Sequence, residues 1–242
     1  MPFRAQIVAA VAITVLLNSL FYSTRVNAEN GDCVDVAIVL AVDGSGSIDT
    51  VEFFLQQQAI ATAFRDPGVL QALDRAGTVA ASVLYWGDAN YPFQETPFVL
   101  IKKPEHVESL ITQLEILPRR VFGTTGLSMG LNESLDKLEA YRCAHRSIIN
   151  VSGDGSDTVL PRHKRLVPSM RDVKARAEAS GVTINALIIS SEERGLRSYF
   201  ENQVIAGPDA FVMETENFSD YAEALRRKLV REISPITLSQ RQ

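Results

Sequence analysis

The sequence predicts an α/β protein with a doubly wound, mostly parallel sheet and helices on both faces. Three observations lead to this prediction. Apolar runs of strand length alternate along the chain with segments of helical spacing. The run from Val34 to Val42 is almost continuously apolar, which is typical of a strand that is buried on both faces. Strands that alternate with helices need crossover connections, and such connections make neighbouring strands parallel.

The elements follow in a regular order. The first strand leads to a helix at 49–64, a short helix at 67–75 and a second strand at 78–86. A third strand at 96–101 contains Pro97, which cannot donate to a neighbour, so we expect it at an edge of the sheet and antiparallel. The same patterns then predict helices at 104–117, 127–141, 167–179, 192–204 and 218–233, and strands at 146–151, 182–189 and 210–213.

The N-terminal residues have the pattern of an export signal. Arg4 precedes the apolar stretch Ile7–Leu17, and Val26-Asn27-Ala28 ends in a small residue before Glu29, as at a signal-peptidase site. We therefore predict a signal peptide at 1–28, one domain at 33–233, a tail at 234–242 and a periplasmic or secreted protein without a membrane span after cleavage. An uncleaved anchor is the alternative.

The charge balance excludes one class of function. Without Arg4 and Arg25, 22 basic residues remain against 29 acidic ones, a net charge of −7. A chain this acidic is not a general nucleic-acid binder. The one basic cluster, Arg162–Arg165, is short and typical of a solvated loop.

The two cysteines have matching positions. Cys33 and Cys143 each precede a predicted strand, 10 residues before Asp43 and 11 residues before Asp154 respectively. If those strands are parallel neighbours, the cysteines lie side by side at the amino edge of the sheet. We predict a Cys33–Cys143 disulfide, which an oxidising compartment permits; two free thiols are the alternative.

Oxygen-bearing side chains follow the first strand and recur at two later points. Asp43, Ser45 and Ser47 are separated by single glycines, which let the backbone curl and direct these side chains to one spot. Thr124-Thr125 begins the helix at 127–141, and Asp154 follows the strand at 146–151. Carboxylates and hydroxyls at the carboxyl ends of strands suit a hard cation. Their low total charge favours Mg²⁺ or Mn²⁺ over a calcium cage, and the lack of sulfur and imidazole argues against zinc or copper.

This pattern resembles the von Willebrand factor A domain and its metal-ion-dependent adhesion site (MIDAS), over about Val34–Ile233. The motif D-x-S-x-S stands intact as DGSGS, the spacing favours Thr125 over Thr124, and Asp154 stands in SGDG where TDG is commoner. The resemblance implies a Rossmann-like fold and an adhesion or interaction module without enzymatic activity. It also implies that Mg²⁺, or else Mn²⁺ or Ca²⁺, binds and that an acidic side chain of a protein partner completes its shell. The metal residues would be Asp43, Ser45, Ser47, Thr125 and Asp154. The chain looks closest to a bacterial secreted branch known only as a domain of unknown function.

Two other classes of function remain open from the sequence. A hydrolase would need a nucleophile, but Ser45 lacks the G-x-S-x-G elbow, and none of His106, His145 and His163 has an obvious route to it. A metal-free assembly module would use the same residues as helix caps. The loop from Trp86 to Phe93 would then be a partner-contact rim, unless Trp86 belongs to the core.

Overall fold

The computed structural model describes residues 33–141, 143–158, 167–190 and 193–235, and the strands in these ranges form one mixed sheet of seven. Five strands are parallel and lie side by side in the order β2-β1-β5-β6-β7. The strands are β1 (Val34–Asp43), β2 (Val79–Trp86), β3 (Gln94–Glu95), β4 (Val99–Ile101), β5 (Ala144–Gly153), β6 (Val182–Ile189) and β7 (Val212–Thr215). The predicted α/β class and the antiparallel edge are both confirmed.

The antiparallel edge differs from the prediction in one respect. The strand expected at 96–101 is observed only as β4, and a two-residue strand that was not predicted, β3, precedes it; the two pair with different parts of β2. Pro97 causes the division because it has no N–H for the ladder. Thr96 fills the gap: its N–H donates to Val83 O at 2.9 Å, and its Oγ1 accepts from the N–H of Val83 at 3.0 Å.

Seven helices accompany the sheet within the described ranges. They are α1 (Thr50–Arg65), α2 (Pro67–Ala76), α3 (Val107–Glu115), α4 (Leu127–Tyr141), α5 (Met170–Ala179), α6 (Leu196–Tyr199) and α7 (Tyr221–Ile233). A 3₁₀ turn, Pro104–His106, precedes α3, and a π-helical turn, Phe200–Val204, follows α6. Asp49 caps α1 in a capping box with Glu52, which is why the helix begins one residue after the aspartate.

The sheet separates two hydrophobic cores. On one face α1, α2, α3 and α7 cover residues such as Ile38, Leu40 and Val42, and on the other face α4, α5 and α6 cover Val39 and Ala41. Alternate residues of β1 therefore enter different cores, which explains its continuous apolar pattern. Because β1 lies between β2 and β5 at the centre, its carboxyl end opens at the middle of the sheet edge.

The Cys33–Cys143 disulfide is confirmed, with Cα atoms 4.8 Å apart at the amino edge of the sheet. Val34 N donates to Cys143 O at 3.2 Å, so the cross-link joins the starts of β1 and β5 as the spacing predicted. The predicted signal peptide (1–28), the basic cluster (162–165) and most of the tail (236–242) lie outside the described residues. None of the helices in the described ranges is both long and apolar enough to cross a membrane.

Candidate metal centre

The first part of the centre is the site loop, residues 43–48, which follows β1. Gly44 N donates to Trp86 O at 2.8 Å, so the loop starts against the end of β2. A Cβ added at Gly44 would lie 2.3 Å from Val121 Cγ2, which explains why this position has no side chain. Ser45 N then donates to Asp43 Oδ1 at 2.8 Å and closes a tight turn around the carboxylate.

Asp154 joins the site loop from β5. Ser47 Oγ donates to Asp154 Oδ1 at 3.0 Å, and the Oγ atoms of Ser45 and Ser47 lie 3.3 Å apart. The approach is close because Gly153 has no side chain: an added Cβ there would lie 3.1 Å from Asp43 Oδ2. Four of the five predicted residues, three from the site loop and Asp154, which lies 107 residues after Ser47, thus meet at one point of the sheet edge.

The two neighbouring threonines have different surroundings. Thr124 Oγ1 donates to Asp88 Oδ2 at 2.6 Å and is therefore engaged outside the centre. Thr125 lies against the turn after Asp154: a Cβ added at Gly155 would be 3.5 Å from Thr125 Oγ1, and Thr125 O accepts from Thr158 N at 2.7 Å. The geometry therefore favours Thr125 as the fifth oxygen of the cluster.

Asp43 is the most deeply buried carboxylate of the cluster, and its pKa is shifted. Its side chain is completely buried, and its Oδ2 accepts no hydrogen bond from any described residue. Burial, with the nearby charge of Asp154 as the second cause, raises the pKa of Asp43 to about 7. A buried carboxylate with an unpaired oxygen costs stability unless a positive group compensates it.

These features fit a hard divalent cation. The convergent groups are two carboxylates and hydroxyls, which are the ligands that Mg²⁺ and Mn²⁺ accept while they keep some bound water. No set of three His, Cys, Asp or Glu side chains in the described ranges is placed to hold a metal, so a metal here would depend on the hydroxyls. His106 ends the 3₁₀ turn before α3 and His145 lies at the amino end of β5, away from Ser45; His163 lies outside the described residues.

Sequence reasoning missed two residues that hold the loops of the centre. Arg119 donates to backbone carbonyls of the site loop, including Ser45 O at 3.1 Å. Asp88 is buried and accepts from Thr124 and from the N–H of Asn90, at 2.9 Å, and these bonds lower its pKa although its burial acts in the opposite direction. The Asp-x-Asn spacing, typical of an Asx turn, could have indicated Asp88, whereas no local pattern marks Arg119.

An aromatic pair borders the centre. Tyr91 and Phe122 are 41% and 38% exposed, and their rings meet edge to face with centroids 5.6 Å apart. Gly123, which follows Phe122, accepts from the N–H of Gly46 at 2.7 Å, so the pair is tied to the site loop. Trp86 is fully buried, and it therefore belongs to the core and not to this rim.

The doubly wound sheet has the same fold as von Willebrand factor A domains among the solved structures. The chain belongs to the family described as protein of unknown function DUF1194, whose profile matches residues 32–237. Among curated proteins, none matches this sequence.

Solved structures show the same fold at low sequence identity. The pilus adhesin SpaC of Lactobacillus rhamnosus GG is 14% identical over 85% of this chain, with a TM-score of 0.60. A von Willebrand factor type A protein of Catenulispora acidiphila is 14% identical over 83%, with a TM-score of 0.56. Proximal thread matrix protein 1 of the mussel byssus, in a structure with a zinc-occupied MIDAS motif, is 17% identical over 84%, with a TM-score of 0.53. The match spans 31%, 43% and 48% of these proteins, respectively, so this chain corresponds to less than half of each.

Proposed function

We propose that this domain is an exported interaction module that binds a protein partner through a divalent cation, Mg²⁺ or Mn²⁺. Asp43, Ser45, Ser47, Thr125 and Asp154 would hold the cation. When bound, the metal supplies an open coordination position that a carboxylate of the partner can fill. The residues of this chain would orient the cation and leave that position toward solvent.

The buried Asp43 carboxylate is the observation that carries the proposal. Helix capping, the alternative role for these residues, does not require a completely buried aspartate with an unpaired oxygen and a pKa of about 7. In α1 the capping role is filled by Asp49, whose Oδ1 accepts from Val51 N at 2.7 Å. Asp43 is therefore available for a ligand.

Charge and surroundings support a partner that contributes an acidic group. A cation held by two carboxylates and neutral hydroxyls retains little excess negative charge around it, so an anionic ligand is not repelled. The exposed Tyr91 and Phe122 beside the centre offer contact area next to the ligand position. The disulfide fits an oxidising compartment outside the cytoplasm.

The test is a calorimetric titration of the domain with MgCl₂ and MnCl₂, together with the variants Asp43→Asn and Asp154→Asn. We expect saturable binding in the parent protein that both variants lose while they keep the parent circular dichroism spectrum. Asp74→Asn is the matched control, because Asp74 is an exposed aspartate on α2.

The outcomes separate the three classes of function. No binding at millimolar metal would contradict the proposal and favour a metal-free assembly module. Metal-dependent turnover of generic phosphate or ester substrates that is lost in Asp43→Asn would favour the hydrolase. Binding that survives both variants would place the cation elsewhere.

A further inference from the structure

Arg119 contacts the backbone of the site loop, although it lies outside every predicted motif. Its Nη2 is 3.1 Å from Ser45 O and 3.5 Å from Gly44 O, and it also donates to Ile48 O. One guanidinium nitrogen thus reaches carbonyls on both sides of the two serines. This arrangement differs from a surface ion pair, since each acceptor is a main-chain oxygen of one short loop.

The orientation of these carbonyls determines the positions of the Cα atoms that carry the proposed metal-binding side chains. Each peptide unit is planar, so fixing a carbonyl oxygen fixes the orientation of the whole unit and of the Cα atoms at its ends. Ser45 O also accepts from Ile48 N at 3.2 Å, which closes the loop from the inside. With both contacts in place, the Oγ atoms of Ser45 and Ser47 are held 3.3 Å apart.

Packing holds the guanidinium in this position. Its Cζ lies 4.7 Å from the ring centroid of the exposed Phe122 and 5.8 Å from that of the buried Phe53. Arginine suits this role because its planar guanidinium stacks on aromatic rings while one of its nitrogens, Nη2, faces the loop carbonyls, whereas lysine has no planar group to stack.

We propose that Arg119 is a positioning residue of the metal centre, which holds the site loop in the geometry that binds the cation. This inference rests on the proposed function. The expected effect of Arg119 on metal affinity is opposite to that of its charge, because a positive charge near the centre opposes cation binding. If Arg119 acted only through its charge, its removal would tighten metal binding; if it positions the loop, its removal weakens binding.

The experiment compares Arg119→Met and Arg119→Lys with the parent protein and with Arg120→Met. Arg120 is the adjacent, exposed arginine, so its variant makes the same chemical change one residue away. The dissociation constant for Mn²⁺ is measured from the electron paramagnetic resonance of free Mn²⁺. In parallel, hydrogen–deuterium exchange of peptides covering 43–48 is measured in EDTA.

We expect Arg119→Met to weaken Mn²⁺ binding roughly 10–100-fold, as for other residues that orient metal ligands, and to speed exchange in the site loop. Arg119→Lys should weaken binding at least as much, since it keeps the charge and loses the planar group that stacks on Phe122. Arg120→Met should bind within about twofold of the parent, the spread ordinary for a surface substitution.

Unchanged or tighter Mn²⁺ binding in both Arg119 variants would overturn the inference. If Arg119→Met does not fold, the Mn²⁺ affinity of Arg119→Lys tests the inference instead. A parent protein that binds no Mn²⁺ would overturn the proposed function and, with it, the role of Arg119 at a metal. The exchange data would then still show whether Arg119 holds the loop, so the two failures are distinguishable.

Discussion

Two clusters of buried polar groups lie on this sheet, and they differ in how their carboxylates are satisfied. In the cluster under α7, Glu232 accepts from Lys228, Asn150 and Asn185, at 2.6, 2.6 and 3.0 Å, and both of its carboxylate oxygens are used. In the candidate metal centre, Asp43 is equally buried, yet its Oδ2 receives no hydrogen bond from a described residue. The first cluster is closed by the protein itself, whereas the second, open cluster contains a carboxylate oxygen without such a partner.

The Glu232 cluster stabilises the fold, whereas the unpaired carboxylate oxygen of Asp43 fits the proposed ligand site. The Glu232 cluster joins α7 to β5 and β6, the elements that carry its four side chains. Its asparagines are register partners on neighbouring strands, so the carboxylate bridges the sheet and the helix. A carboxylate buried without that compensation destabilises the fold, and such a cost is usually found where function requires it.

The largest effect is expected when the carboxylate of the closed cluster is removed. Glu232→Leu leaves the ammonium of Lys228 buried and two asparagine amides without an acceptor. We expect a loss of about 3–5 kcal/mol in the free energy of unfolding, measured by urea denaturation. The matched control is Glu223→Leu on the exposed side of α7, which loses an ion pair to Arg226 and should cost less than about 1 kcal/mol. Equal losses would contradict a special role for the buried cluster.

The opposite result is expected when the carboxylate of the open cluster is neutralised. Asp43→Asn should raise the free energy of unfolding of the metal-free protein at pH 8, on the order of 2 kcal/mol, because it removes a buried charge that backbone N–H groups compensate only in part. The same variant should bind no Mn²⁺. Asp74→Asn, the surface control, should change stability by less than about 0.5 kcal/mol.

The pH dependence of this gain follows from the pKa of Asp43. Because that pKa is raised from 3.8 to about 7 in the folded state, its contribution to stability is fully present below 3.8 and lost as the pH rises through 7. The gain from Asp43→Asn should therefore be largest at pH 8 and shrink toward pH 5, measured by urea denaturation in EDTA. A gain that is the same at both pH values would show that the charge of Asp43 is not its cause.

The smallest expected effects distinguish which of Thr124 and Thr125 belongs to the open cluster. Thr124→Val removes the hydrogen bond to Asp88 and should cost about 1 kcal/mol of unfolding free energy, with little change in Mn²⁺ affinity. Thr125→Val should leave stability within about 0.5 kcal/mol of the parent and weaken Mn²⁺ binding roughly tenfold or more. Each variant is the control of the other. The reverse pattern in calorimetry and urea denaturation would identify Thr124 as the ligand.

The errors in the prediction of the fold lie where a local signal competes with pairing. The bounds of α4 and β6 agree with the prediction because their apolar periods are strong and their ends are punctuated, as by Gly181 before β6. At the antiparallel edge, Pro97 indicates an edge position but does not show where pairing begins or ends. The start of β4 at Val99 and the existence of β3 before Thr96 depend on the register with β2, which is a tertiary property.

Local patterns were enough to predict the class of fold, the disulfide, and the meeting of Asp43, Ser45, Ser47 and Asp154 at one edge of the sheet. Periodicity and motif spacing are local properties, and residues at equal distances along two parallel neighbouring strands lie at the same edge. The burial of Asp43, the different surroundings of Thr124 and Thr125, and the contacts of Arg119 with the site loop depend on tertiary packing. Burial and hydrogen-bond satisfaction depend on what packs against a residue from distant parts of the chain. No pattern along the sequence records that information.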